Sequence, residues 1–233
     1  MTWQRRHTLL LGLTGAAGAL DVLSFVHLGK VFTSFMSGNV LFLGLGAGGA
    51  DGGLVIRAAV ALAAFVAGAA GGARIVGTHL APGARGRERA ALAVESALLV
   101  AFAGLWLAVG TPDHDPVVRT LLLALAAGAM GIQGALVLAL KIPNVLTVAL
   151  TATVAYLGQR AGTRSLAKPR DPELPSTGLL VAFVVTYVTC AFVVAVLPSS
   201  PALSLAPLAA LLVALAFDRQ AARRAPAASA AAA

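Results

Sequence analysis

The chain has 233 residues, of which 59% are apolar and 11% are charged, and its mean hydropathy is +0.89. A soluble domain carries about 25% charged residues, because it needs them to cover its surface. The composition excludes a soluble enzyme, a secreted disulfide module and a disordered chain, since water would contact too much apolar surface. The sequence therefore predicts an integral membrane protein.

The net charge of +8 arises from 17 basic and 9 acidic residues. In a soluble domain this balance would indicate nucleic-acid binding. Here the basic residues cluster between apolar runs, as at Arg85, Arg87 and Arg89, which is typical of topology signals that contact lipid headgroups. We expect the lipid bilayer as a partner and no nucleic acid. Cys190 is the sole cysteine, which excludes an internal disulfide and a cysteine-based metal site.

Eight apolar runs follow one another along the chain, and a helix needs about 20 residues to span the hydrocarbon core. The runs cover residues 8–29, 31–49, 54–80, 90–110, 117–140, 143–159, 176–197 and 202–217. Runs 31–49 and 143–159 differ from the others, because hydroxyl and amide side chains interrupt them and the latter opens with Pro143. We predict an all-α, polytopic membrane helix bundle in which these two runs are broken or re-entrant.

The distribution of basic residues favours six crossings over eight. If all eight runs cross, 11 basic residues lie on the cytoplasmic side, whereas 14 do so if runs 31–49 and 143–159 each enter and leave on one side. The six-crossing arrangement thus fits the positive-inside rule better and places both termini in the cytoplasm. It leaves Lys30, Arg57 and Arg119 on the outer side.

The two interrupted runs resemble each other. Residues 32–44 (FTSFMSGNVLFLG) and 146–158 (LTVALTATVAYLG) are identical at four of 13 positions and conservatively related at four more. Six crossings divide into three crossings and one re-entrant segment per half, and an odd number per half makes the repeat inverted. Inverted repeats with interrupted segments at matching positions are typical of transporters. The predicted organisation is a cytoplasmic N-terminus (1–7), a first membrane repeat (8–110), an external loop (111–116), a second membrane repeat (117–217) and a disordered cytoplasmic tail (218–233).

The interrupted runs supply polar partners for a substrate or an ion. A broken helix leaves backbone groups unpaired, which a membrane tolerates only where protein, water or a ligand satisfies them. The candidate hydroxyl and amide residues are Thr33, Ser37, Asn39, Thr147, Thr151 and Thr153. The alternative is structural, because serine and threonine often bond their own helix backbone or bridge neighbouring helices in membranes.

Asp21 is the strongest single candidate for a functional residue. A carboxylate at membrane depth costs about 2.5 kcal/mol or more, so it usually faces a cavity or a partner. We add two residues to the candidate site: Ser24, which shares a helical face with Asp21, and Gln133, which lies in the corresponding region of the second half. Gln133 either lines the same cavity or bonds between helices. We interpret Asp21 as a proton or cation site, or as a partner of the broken segment. A neutral or paired structural acid near the outer interface is the alternative.

Glu95 and the histidines are not assigned to the candidate site. Glu95 lies inside run 90–110, where we expect it to extend to the membrane surface or to pair with Arg74 or Arg89. The four histidines lack metal-ligand spacing, so we predict no metal and no cofactor.

These residues resemble a known family. The stretch GALDVLSF at 18–25, followed by VFT at 31–33 and MSGN at 36–39, is similar to the signature of the bacterial YoaK-like membrane proteins, a domain family of unknown function. Gln133, Thr147 and Thr151 resemble its second motif, with departures at Gly134, where Asn is usual, and Ala152, where Gly is usual. The resemblance implies a multi-pass inner-membrane protein and supplies no substrate.

These patterns favour a small secondary transporter or permease for a small molecule or ion, with Asp21 as the coupling or substrate-cation group. A non-transporting scaffold or a lipid- or ligand-binding module is the alternative. An intramembrane enzyme is disfavoured, because no nucleophile and base are paired in the sequence. Six crossings are few for alternating access, which favours a homodimer.

Overall fold

The computed structural model describes residues 3–49, 51–80, 84–110, 115–141, 150–163, 175–197, 200–213 and 215–216. The described part of the chain is helical and has no strand. Its α-helices are α1 (Trp3–His27), α2 (Met36–Ala47), α3 (Gly52–Val76), α4 (Arg85–Val109), α5 (Pro116–Leu140), α6 (Thr151–Gly162) and α7 (Thr177–Val196). A short 3-10 helix, Pro201–Leu205, continues as α-helix over 206–213. The all-α membrane bundle predicted from composition is confirmed.

Among the described residues, five helices are long and apolar enough to cross a membrane, namely α1, α3, α4, α5 and α7. The sixth predicted crossing, run 202–217, instead forms a shorter apolar helix, Ala202–Val213. Local sequence signals set several helix ends. Asp115 caps α5 by accepting hydrogen bonds from the Val117 and Val118 N–H groups, and Pro116 occupies the first helical position. Residues 111–114 of the predicted external loop (111–116) and the whole predicted tail (218–233) lie outside the described residues.

Helix α5 is the central helix, and glycines bring α3 close to it. A Cβ atom at Gly68 would overlap the Gly128 carbonyl, and one at Gly131 would overlap the Phe65 carbonyl. Gly72 lies against Ile132 in the same interface. The Leu80 N–H, just after α3, donates to the Ala139 carbonyl near the end of α5, so the two helices run parallel. Small residues thus permit the close helix packing that membrane bundles use in place of a hydrophobic driving force.

Helices α1 and α3 meet at one end, which shows the path of the segment between them. Arg57, one turn into α3, donates from Nε to the Gly29 carbonyl oxygen at 3.0 Å. Gly29 and Lys30 form the turn after α1, with φ of 99° and 61°. Residues 28–51 therefore leave and return at the same end of this helix pair. Lys30 and Arg57 share that end, as six crossings predict and eight crossings would not allow.

The chain after α1 folds back along the helix that precedes it. Asp21 lies six residues before the end of α1 and bonds Thr33 and Ser34, so the irregular segment 28–35 descends about 9 Å alongside α1. Helix α2 then begins at Met36 inside the bundle and packs against α3. Residues 142–149, which include the start of the second interrupted run, lie outside the described residues.

Candidate functional site

The candidate site is centred on the carboxylate of Asp21, which is 2% exposed. Its Oδ1 atom accepts hydrogen bonds from the Thr33 N–H at 2.8 Å, the Thr33 hydroxyl at 3.1 Å and the Ser34 N–H at 2.8 Å. Its Oδ2 atom accepts from the Ser34 hydroxyl at 2.6 Å and the Tyr187 hydroxyl at 2.7 Å. Asp21 therefore joins α1, the irregular segment and α7 through five donors.

Two more polar side chains shape the irregular segment so that its N–H groups face Asp21. Ser24, one turn after Asp21 on α1, donates to the Val31 carbonyl at 2.7 Å. Asn39, in the first turn of α2, accepts from the Phe32 N–H at 2.9 Å and donates to the Phe32 carbonyl at 2.7 Å. Both side chains are fully buried. They satisfy backbone groups that an irregular segment would otherwise leave unpaired in a membrane.

The hydrogen bonds to Asp21 are short. Charge-assisted hydrogen bonds to a carboxylate are shorter and stronger than neutral ones, which agrees with the distances of 2.6–2.8 Å for four of the five donors. Helix α2 begins two residues after Ser34. The positive end of its dipole therefore lies on the same side of the cluster as the carboxylate.

Aromatic rings cover the irregular segment. Phe32 stacks between Phe25 on α1, at a ring-centroid distance of 5.3 Å, and Phe42 on α2, at 5.9 Å. Phe35 packs edge-on against Phe32. The backbone that carries the Asp21 donors is thus separated from the surroundings by an apolar layer, which strengthens the hydrogen bonds beneath it.

The structure brings together four of the residues predicted for the site: Asp21, Ser24, Thr33 and Asn39 lie in one cluster. Ser37 does not join them, because its position on α2 faces outward and leaves it exposed. Helical periodicity explains this, since Ser37 and Asn39 are two positions apart and point in different directions.

The remaining predicted residues lie elsewhere. Gln133 is fully buried on α5, where its amide donates to the Leu13 carbonyl on α1 at 3.1 Å, two turns along α1 from Asp21. Thr151 is exposed at the first turn of α6, Thr153 is buried on the same helix, and α6 packs against α7. Thr147 lies outside the described residues.

Two residues of the cluster are absent from the predicted set: Ser34 and Tyr187. Ser34 adjoins Thr33, so the polar run itself was a signal. Tyr187 is a polar aromatic residue in the otherwise apolar helix α7, but it lies 166 residues from Asp21 in the chain. Sequence spacing carries no information about a contact at that separation.

Glu95 is a second buried acid, and the structure corrects its prediction. Its side chain is 0% exposed, and neither carboxyl oxygen has a hydrogen-bond partner among the described residues. It neither reaches the surface nor pairs with Arg74 or Arg89. Trp106, on the same helix, is also buried, against Phe102 and His27.

Within the described ranges, no group of three His, Cys, Asp or Glu side chains could hold a metal ion. The fold and the cluster define a multi-pass, helical membrane protein in which an acid on the first helix holds an irregular segment inside the bundle. Residues 9–217 match the family described as "Protein of unknown function (DUF1275)", and the chain belongs to this family.

A curated relative supports the same assignment. The chain is 32% identical over 195 residues to the UPF0700 transmembrane protein YoaK of Bacillus subtilis (strain 168), an alignment that covers 82% of this chain and 83% of the relative. The resemblance to YoaK-like proteins predicted from the GALDVLSF and MSGN stretches is therefore confirmed. No solved structure matches the chain significantly.

Proposed function

We propose that the chain is a small secondary transporter or permease for a small molecule or ion. The observation that carries the proposal is the Asp21 cluster, in which one buried carboxylate holds an irregular segment at membrane depth. Non-helical backbone at that depth occurs where it is buried in protein or lines a cavity, and transporters place their substrate and ion sites at such broken helices.

The cluster suggests how binding could be coupled to movement. Thr33 and Ser34 belong to the irregular segment, whereas Tyr187 belongs to α7, and all three bond the same two oxygens. A cation or a proton that reaches Asp21 competes with these donors. Its arrival would therefore loosen the irregular segment and α7 together, which is the behaviour expected of a gate.

The second half supports the proposed inverted repeat at one matching position. Lys30 precedes the first interrupted run and Lys141 precedes the second. Both adopt the left-handed conformation, with φ of 61° and 49°, which is uncommon for residues other than glycine. We propose that both halves turn back at these lysines, so that Thr151 and Thr153 belong to the counterpart of the Asp21 segment.

The proposal includes a location and an assembly. The excess of basic residues in one set of connections favours a bacterial inner membrane with both termini in the cytoplasm. A homodimer would supply a larger scaffold for alternating access than one small bundle provides. The proposed activity is transport and not catalysis.

A second function is favoured by a specific observation. Five donors within the protein already bond Asp21, so the role of the carboxylate can be to hold the irregular segment permanently in place. In that case the chain is a membrane scaffold or a lipid- or ligand-binding module, and Asp21 contacts no transported species.

The test compares ligand-induced stabilisation of wild-type protein with that of three variants. Purified protein is screened by thermal shift against panels of metabolites and ions, because a ligand that binds only the folded state raises the unfolding temperature. We expect Asp21→Asn and Ser34→Ala to abolish the shift produced by the best ligand. Ser37→Ala is the matched control, since this exposed serine is three residues from Ser34, and it should retain the shift.

Transport is then measured with that ligand in proteoliposomes. Uptake by wild-type protein and by Ser37→Ala, with loss of uptake in a folded Asp21→Asn protein, would support a transporter. Binding without uptake would favour the ligand-binding module. If no ligand shifts the wild-type protein and Asp21→Asn only lowers its stability, the scaffold is the better description.

A further inference from the structure

Glu95 lies in the middle of α4, on the face that the helix buries in the bundle. Its neighbours on that face, at helical spacing, are Ala91, Leu92 and Leu99, which are all buried. The same face packs against α5 and against the 3-10 helix Pro201–Leu205. On its own helix Glu95 is therefore flanked by apolar side chains, and neither of its oxygens has a hydrogen-bond partner among the described residues.

The charged groups on the packed elements do not compensate Glu95. Helix α3 carries Arg57 and Arg74, helix α5 carries Arg119, and the 3-10 helix carries no charge. None of these groups makes an ion pair or hydrogen bond with either Glu95 oxygen within the part of the chain that the structure describes. Arg74 is exposed, and Arg57 bonds Gly29 and Asp51.

The groups near Glu95 favour a proton over a metal ion as its ligand. A metal ion such as Ca²⁺ takes six to eight oxygen ligands, and Mg²⁺ takes about six. The positions that flank Glu95 on α4 offer aliphatic side chains instead, and no second acid lies within one turn of it. A proton needs only the carboxylate itself, and a neutral carboxylic acid avoids the cost of a charge buried in apolar surroundings.

A second acid on the same helix face offers a route to water. Glu88 precedes Glu95 by seven residues, or two helical turns, which places the two acids on one face about 10 Å apart along the axis. Glu88 lies in the first turn of α4, beside Arg87 and Arg89 at the charged end of the helix. Glu88 is itself buried, and this charged end of α4 is the nearer of the two helix ends to Glu95.

We propose that Glu95 is a proton-binding site inside the bundle, which exchanges its proton with water through the end of α4 that carries Glu88. The exchange is a simple acid dissociation, in which the Glu95 O–H bond breaks and water accepts the proton. If the chain is a transporter, this proton would be its coupling ion. That coupling role rests on the proposed function, whereas the proton site itself does not.

The test is reaction of the full-length protein in lipid nanodiscs with dicyclohexylcarbodiimide, an apolar reagent that adds to protonated carboxylic acids. The acid proton moves to a nitrogen of the reagent and the carboxyl oxygen bonds its central carbon. The product rearranges to a stable N-acylurea that contains every atom of both reactants. Peptide mass spectrometry then locates the adduct.

We expect an adduct on the Glu95 peptide of the wild-type protein that falls towards background as the buffer becomes alkaline. Glu95→Gln should remove it, whereas Glu88→Gln and Asp21→Asn should retain it. An unlabelled Glu95 in acidic buffer, or labelling that does not change with pH, would overturn the proposal. The wild-type peptide map decides this even if Glu95→Gln does not fold.

A flux measurement separates the two proposals. In proteoliposomes, a pH gradient should accelerate uptake of the identified ligand by wild-type protein and leave uptake by Glu95→Gln unchanged. If Glu95 is labelled in the pH-dependent manner and no ligand is transported, the transporter proposal fails and the proton site stands. If ligand is transported and Glu95 is not labelled, the proton site fails alone.

Discussion

Two acids lie buried in this bundle, and their surroundings are opposites. Asp21 accepts five hydrogen bonds from the irregular segment and α7, whereas Glu95 accepts none among the described residues. Their exposures are almost equal, at 2% and 0%. Burial alone therefore does not reveal the role of a membrane carboxyl group, and the donors around it do.

The two environments have different consequences for stability. Donors turned towards Asp21 are satisfied only while its carboxylate is present, so the acid and the irregular segment depend on each other. Glu95 satisfies nothing that the structure describes, and its burial costs free energy. Asp21 thus stabilises the fold. Glu95 does not, so its presence inside the bundle is better explained by a chemical role than by a structural one.

The largest effect is expected for Asp21→Ala, which leaves the Thr33 and Ser34 N–H groups buried without an acceptor. We predict a loss of at least about 3 kcal/mol in the free energy of unfolding, since each orphaned donor costs about 1–3 kcal/mol. Denaturant unfolding of purified protein, followed by tryptophan fluorescence, measures it. Ser37→Ala is the control and should match the wild type. An Asp21→Ala protein of wild-type stability would show that Asp21 does not hold the irregular segment in place.

A smaller loss is expected for Asn39→Ala, because this change removes the partner of both the N–H and the carbonyl of Phe32. We predict about 2 kcal/mol, measured in the same assay. The loss should be less than additive with that of Asp21→Ala, since both side chains hold one segment. Full additivity would show that the two contacts act independently.

Tyr187→Phe removes one of the five donors to Asp21 and keeps the aromatic ring. We expect a loss of about 1.5 kcal/mol, the low end of the usual contribution of a hydrogen bond to a carboxylate. A double-mutant cycle with Ser34→Ala tests whether the donors to Oδ2 cooperate. A stability equal to that of wild type would show that α7 is not fastened through Asp21.

The smallest effect is expected for Glu95→Leu, which replaces an uncompensated acid with an apolar side chain. We predict a free energy of unfolding within about 1 kcal/mol of wild type, or above it, because substitution of a buried polar group by an apolar one is nearly neutral or stabilising. The same unfolding assay measures it. A loss comparable to that of Asp21→Ala would mean that Glu95 bonds a group beyond the described residues.

Part of this architecture was predictable from residue patterns. Composition alone indicated a membrane bundle, because apolar side chains on such a scale are stable only in lipid. The polar interruption at Thr33 and Asn39 indicated a broken segment, since its backbone needed local partners. Small residues such as Gly68 and Gly72 are typical of close helix packing in membranes, and both lie in the α3–α5 interface, although a Cβ atom at Gly71 would meet no neighbour.

Other features were beyond reach of those patterns. Ser37 was grouped with the site because it adjoins polar residues, yet helix α2 turns it away. Gln133 bonds Leu13 and not the Asp21 cluster. Both predictions rested on the position of a residue along the chain. The direction in which its side chain points depends on how its helix is rotated in the bundle, which that position does not give.

The sequence by itself determined that this protein lies in a lipid bilayer, where its apolar segments are and where a helix could not continue. Hydropathy and the need of backbone groups for hydrogen-bond partners are local properties of the chain. Only the tertiary structure decided that Tyr187 completes the shell of Asp21 and that Glu95 has no shell among the described residues. Those outcomes depend on which helix faces meet, and helices that are apolar on nearly every side carry little information about their partners.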